Sequence, residues 1–201
     1  MAESLTDTYP CDHFKLVAGY DGEKGFEYEA RALIGMGADT ITHPGDLSEA
    51  WRALAADLLS PDYRATLSAL TGYDLTAAPM EVNVFHYGPG CSLGAHRDLP
   101  EKLVTHVLYF NRSWNTSEGG CLGILHSKNS ADLAAEVIPV VGNSAVIVRS
   151  DESWHAVSPV AHGSAFSRRS VTVTFYRAGS VSTMWPPGDA APVHRYHAAD
   201  L

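Results

Sequence analysis

The sequence predicts a mainly β fold with flanking helices, a double-stranded β-helix (jelly roll) buttressed by N-terminal helices. Three observations predict it. Helical periodicity is confined to the residues before 72. Short apolar segments of strand character follow from residue 80. Gly- and Pro-containing turn signals separate those segments at regular spacing, which suggests a β-sandwich or jelly roll buttressed by helices on one face. The 201 residues suit a single domain. Its expected parts are a helical and irregular support (1–79), a jelly-roll core (80–178) and a C-terminal tail (179–201).

Residues 1–45 alternate short apolar pieces with glycine and read as irregular structure with one or two strands, around 14–17 and 28–36. Leu47, Trp51, Leu54, Leu58 and Leu59 form one apolar stripe, so 47–59 is read as an amphipathic helix. Asp46 or Ser48 can cap its start, and Ser60-Pro61 stops it. A second helix is expected over 61–71, ending at Gly72. Expected strands cover 80–87, 103–111, 121–126, 134–139, 144–149 and 168–177. The turns between them carry Gly88-Pro89-Gly90, Glu118-Gly119-Gly120, Val141-Gly142-Asn143 and Ala161-His162-Gly163. The Pro-rich stretch from Trp185 is expected to lie irregularly on the surface.

Composition excludes several classes. Hydrophobic residues make up 45% and charged residues 18%, which suits a globular chain with a real core. No apolar run approaches the ~20 residues that span a bilayer. The N-terminal residues lack the basic and apolar regions of a signal peptide. Cys11, Cys91 and Cys121 are scattered without a C-x-x-C, which suits a reducing cytoplasm. A net charge of −9 without a basic patch argues against nucleic acid or an anionic membrane as partner.

The chemistry concentrates after the loop Tyr87-Gly88-Pro89-Gly90. His96 and Asp98 are separated by one residue, and on a strand such residues share a face. One imidazole and one carboxylate make two-thirds of the facial triad that holds non-heme Fe(II). His155, just beyond the strand Ala145-Val146-Ile147-Val148, is the best third ligand. The strand from 168 splits into two faces. Arg168, Ser170, Thr172 and Thr174 form a polar set that is expected to line a cavity. Arg169, Val171, Val173 and Phe175 form the set expected to pack on the helices. A buried arginine needs an anionic partner. A substrate carboxylate held bidentately would supply one, and Tyr109 could add a phenol hydrogen bond. Two imidazoles and a carboxylate also suit catalytic zinc. That reading expects a general base such as an H-E-x-x-H glutamate, which the sequence lacks, and it leaves Arg168 without a role. A metal-binding jelly roll without turnover is the remaining alternative.

With these residues in place, about 82–177 resembles the Fe(II)/2-oxoglutarate-dependent oxygenases of the prolyl-hydroxylase-like branch. The resemblance is carried in order by Tyr87–Gly90, His96-Arg97-Asp98, the Leu108–Trp114 segment, Glu118–Leu122, the Ser150–Pro159 segment and Arg168–Phe175. It implies His96, Asp98 and His155 as iron ligands. It implies Arg168 as partner of the distal 2-oxoglutarate carboxylate, assisted by Tyr109 and Thr172. The separation of His155 from Arg168 is longer than expected for the branch, and Arg169 competes with Arg168. The implied cofactors are Fe(II) and 2-oxoglutarate, with ascorbate as a stimulating reductant. The implied activity is a dioxygenase that uses O2 to hydroxylate an unactivated carbon. Asp98 favours hydroxylation over halogenation, where a small residue replaces the carboxylate. A small molecule such as an amino acid or a biosynthetic intermediate is the expected substrate, with a peptidyl proline as the alternative. Arg97, Arg112, Trp114, Trp154, Trp185 and His86 are candidate wall residues.

Overall fold

A computed structural model describes residues 2–21, 24–149, 152–182, 184 and 185. Most of the expected tail, from Pro186 onward, lies outside the described residues. Three helices precede the main run of strands: α1 (Ala2–Asp7), α2 (Glu49–Leu59) and α3 (Pro61–Thr71). The Ser48 hydroxyl accepts from Trp51 N and caps α2. The Ser60 hydroxyl does the same for α3 through Tyr63 N, and Gly72 ends that helix in the left-handed region at φ 77°. These boundaries match the sequence reading to within two residues.

The strands are β1 (Lys15–Asp21), β2 (Lys24–Ile34), β3 (Met80–Tyr87), β4 (Ser92–His96), β5 (Lys102–Tyr109), β6 (Leu122–Leu125), β7 (Leu133–Val137), β8 (Ser144–Val148), β9 (His155–Val157) and β10 (Arg168–Tyr176). All their pairings are antiparallel. One continuous ladder runs β7-β6-β9-β4-β2-β3-β10-β5-β8, with β1 added to β2. Strand β4 pairs with both β2 and β9, so the ladder folds over on itself and nearly closes. This is the expected jelly roll. It is also larger than expected at its start, because β1 and β2 bring residues 15–34 into the same sheet.

Alternation divides the large sheet into two chemical faces. Val82, Val84, Val104, Val171, Val173 and Phe175 face Trp51, Leu58 and Leu67 and build one core with the helices. Each such fully buried side chain is worth roughly 1.5–3 kcal/mol of transfer free energy. Trp51 is completely buried, and its indole N–H donates to Leu5 O at 3.0 Å, which docks α1. The opposite face carries Phe85, Tyr87, Val107, Tyr109 and Ile147, which meet Leu122 of β6 and Val157 of β9. The candidate ligands lie on this inner side.

Candidate active site

The strand β4 ends at His96, so Asp98 comes from the loop that follows rather than from the strand itself. The shared strand face expected for His96 and Asp98 therefore does not exist. The loop turns the carboxylate back toward the imidazole instead. On the neighbouring strand β9, His155 is the Cα partner of His96. Cross-strand pairing thus aligns the two imidazoles, with ring centroids 4.2 Å apart.

His96 Nε2 lies 3.9 Å from Asp98 Oδ1, and His155 Nε2 lies 4.0 Å from Asp98 Oδ2. The three candidate donor atoms lie within 4.8 Å of one another. Each histidine places Nδ1 2.9 Å from a backbone carbonyl two residues earlier, Gly94 O for His96 and Ser153 O for His155. Donation to those carbonyls puts the proton on Nδ1 and leaves the Nε2 lone pairs facing Asp98. The donor set therefore fits a divalent metal with two imidazole nitrogens and a carboxylate.

Asp98 is 7% exposed at its side chain. Burial pushes its carboxyl up, but Lys102, with smaller help from His155 and His96, outweighs this and holds it down at about 2. The group is a carboxylate throughout the neutral range, as a metal ligand must be.

A cavity of about 460 Å³ opens from these residues. Its lining includes Tyr28, Phe85, Thr105, Thr172, Met184 and Arg168. Arg168 is 3% exposed, and its Nη1 donates to Ser170 Oγ at 2.8 Å. The guanidinium lies 4.8 Å from the Tyr87 ring centroid and 5.2 Å from that of Tyr109. No acidic side chain among the described residues pairs with it. Arg168 Nε and the Tyr109 hydroxyl are both buried without a hydrogen bond. Burial raises the Tyr109 phenol, partly offset by the Arg168 charge. A cation and a phenol donor left open together fit a carboxylate of a dicarboxylic co-substrate. Thr172, two same-face steps along β10 from Arg168, lines the same cavity.

Arg169 points the other way. Its Nη1 donates to Thr6 O at 3.3 Å, and its guanidinium lies over Tyr9 at 5.4 Å. It lines a separate outer groove together with Arg112 and Phe166. Of the other candidate wall residues, Arg97 lines the cavity and stacks over Trp154 at 5.2 Å. Trp114 does not line it: its indole donates to Gly119 O at 2.7 Å behind the site. His86 is buried on the helix side of the sheet, away from the cavity, and its Nδ1 lies 3.0 Å from Glu29 Oε2. Sequence reasoning missed Lys102, whose Nζ sits 2.7 Å from Asp98 Oδ1. Its position four residues after Asp98 is the signal that could have found it.

A second trio, His13, His43 and Asp46, also brings donor atoms within 4.8 Å. Its two imidazoles stack face to face, 3.9 Å apart with planes at 1°. Parallel rings send their in-plane lone pairs along parallel lines rather than toward one point. That geometry describes a stacked pair, not a chelate.

Fold and site together define a class, an antiparallel double-stranded β-helix with a candidate His/Asp/His metal triad beside a buried arginine. Residues 82–177, just under half of the chain, match the family model of the 2OG-Fe(II) oxygenase superfamily. The family uses Fe(II) and 2-oxoglutarate, and the protein is accordingly a dioxygenase. A crystal structure of a Pseudomonas putida prolyl-4-hydroxylase is similar at 26% identity and TM-score 0.53, covering 76% of this chain and 70% of that one. An oxidoreductase of the 2OG-Fe(II) oxygenase family from Burkholderia pseudomallei shares the fold at 13% identity and TM-score 0.57, covering 84% and 75%. No curated protein matches the sequence. No helix among the described residues is long and apolar enough to cross a membrane.

Proposed function

We propose that His96, Asp98 and His155 hold Fe(II), that Arg168 with Tyr109 and Thr172 takes the distal carboxylate of 2-oxoglutarate, and that the enzyme hydroxylates an unactivated carbon of a small molecule. One observation carries the reading. The convergent Nε2/Nε2/carboxylate set and Arg168, which pairs with no acidic side chain among the described residues, line one cavity of about 460 Å³. That volume is in the range of small-ligand sites. The bound iron supplies oxidative chemistry driven by decarboxylation of the co-substrate.

The chain's own residues do the rest. The Gly94 and Ser153 carbonyls fix the tautomers of the two histidines. Lys102 and Thr105 hold the two Asp98 oxygens, at 2.7 and 3.3 Å. Arg168 orients the co-substrate along the cavity axis. Val17, Phe26, Tyr28 and Met184 line the cavity and limit water beside the reacting carbon. Hydroxylation of a prolyl residue in a peptide is the second reading, favoured by the likeness to the Pseudomonas putida prolyl-4-hydroxylase.

The test is an anaerobic titration of the metal-free protein with Fe(II) and then 2-oxoglutarate. A weak visible metal-to-ligand charge-transfer band is expected, and its loss in His155→Ala. Iron binding without a band would favour a non-catalytic metal module. No iron binding would refute the triad. With the band in hand, succinate release over a panel of free amino acids and of prolyl peptides separates the two substrate readings.

A further inference from the structure

Glu81 is a carboxylate that nothing in the metal or co-substrate assignment uses. It is 1% exposed and lies on β3. Alternation from Tyr87 and Phe85 places it, with Asn83, on the inner face of the sheet. Its Oε2 accepts from Asn83 Nδ2 at 3.2 Å and from the Tyr176 hydroxyl at 3.3 Å. Its Oε1 is buried with no hydrogen bond, and no cationic side chain among the described residues pairs with it. A carboxylate enclosed without a cation is costly, so a cation supplied from outside the chain would be held strongly there.

The position suits a substrate. Thr174 on β10 is the Cα partner of both Glu81 and Thr105. Glu81 and Thr105 therefore stand two strand spacings apart, ~10 Å, and Thr105 donates to Asp98. The Tyr176 phenol is raised by burial and then by the charges of Glu81 and, more weakly, Asp98. Asn83 adjoins the cavity wall: Thr172 is its Cα partner, and Met184 Sδ lies 3.7 Å from its Nδ2. Thr172 and Met184 both line the cavity. Trp185 closes over the cluster, its indole N–H donating to Asn83 Oδ1 at 2.6 Å. Met184, an unbranched thioether, both lines the cavity and touches the Asn83 amide weakly, and it rearranges at low cost.

We propose that Glu81, backed by Asn83 and Tyr176 and reached past Met184, is the anchor for a cationic nitrogen of the substrate. The substrate is then an amine-bearing small molecule oxidised at a carbon remote from that nitrogen. The inference rests on the small-molecule reading above. Amine binding leaves the chain's covalent structure unchanged and transfers no electrons.

The test uses the full chain as its anaerobic Fe(II)·2-oxoglutarate complex. L-lysine, L-arginine, L-proline and putrescine are titrated in, each beside its N-acetylated form, and perturbation of the charge-transfer band is read. At least one amine is expected to perturb the band, and its acetylated form to bind at least about tenfold more weakly. Glu81→Gln is expected to weaken that amine about 30-fold or more, the scale for removing one partner of a buried charge pair. The same variant should bind iron and 2-oxoglutarate as wild type does, which also reports that it is folded. The proposal is overturned if acetylated and free forms bind alike, if Glu81→Gln binds the amine unchanged, or if no member of the panel perturbs the band. Absence of the band before any amine is added would instead refute the metal and co-substrate assignment.

Discussion

Lys102 Nζ lies 2.7 Å from Asp98 Oδ1, while Thr105 Oγ1 donates to the other oxygen at 3.3 Å. Both carboxylate oxygens are therefore held by side chains from β5, the strand that follows the Asp98 loop. A candidate ligand that comes from a loop needs such support, because the loop alone does not fix its direction.

Lys102→Met should weaken Fe(II) binding 10–100-fold, the usual cost of removing an outer partner of a metal ligand. Lys102→Arg should recover most of the loss. Iron titration of the three proteins, with thermal melting as a control for folding, gives the answer. Unchanged affinity in Lys102→Met would reduce the pair to an ordinary ion pair.

Arg168 and Arg169 are neighbours with opposite environments, one in the cavity and one beneath Tyr9. Arg168→Ala should weaken 2-oxoglutarate by roughly 30-fold or more, since a desolvated charge partner is lost. Arg169→Ala should leave 2-oxoglutarate affinity unchanged and lower stability modestly, through loss of the Tyr9 contact. Equilibrium titration of the co-substrate separates the two, and a reversed result would refute the assignment of Arg168.

This pair also shows why much of the site was legible in the sequence. Strict alternation along β10 puts Arg168, Ser170 and Thr172 on one side and Arg169, Val171 and Val173 on the other, and the apolar set names the helix side. The same logic failed at β2. There Glu29 and Arg31 sit on the side opposite Ala30, yet Arg31 is fully buried beside Asp12 and Glu29 is half-buried beside His86. Charges paired inside the protein look like solvent-facing residues in a sequence, so residues 1–45 read as irregular structure with only one or two short strands. The short strand β4, made of Ser92, Leu93, Gly94, Ala95 and His96, carries no usable period. Its end before Asp98 could not be seen. Glu81 and Asn83 passed unnoticed because a polar residue in a strand reads as an exposed one.

Gly119 adopts φ +67°, and a Cβ built there would lie 1.9 Å from Pro159 O, a backbone atom that cannot swing away. The next residue, Gly120, packs against Trp114, Val160 and Arg168 Cβ. Gly119→Ala should therefore cost ~2 kcal/mol or more, from strain and overpacking together. Urea unfolding of the variant measures it. Gly142→Ala is the control, because it also has positive φ (+95°) but meets nothing within 4 Å. Equal costs at the two positions would mean that backbone strain, not the Pro159 contact, sets the penalty.

His106 faces α3 from β5, with its Nδ1 2.8 Å from the Tyr63 hydroxyl. Burial lowers its pKa below the ordinary 6.5. The folded protein thus prefers the neutral ring, and the unfolded chain takes up the proton first as pH falls. The stability tied to this group is fully present above 6.5 and is lost as pH drops toward the folded value. Urea midpoints should therefore decline from pH 7.5 to pH 5.5 in the wild type. His106→Asn, which cannot titrate, should start from a lower midpoint and show a shallower decline over the same interval. If both proteins lose the same amount, protonation elsewhere governs acid stability. The helix α3 would then be docked by the apolar packing of Leu67 on the sheet rather than by a neutral His106–Tyr63 hydrogen bond.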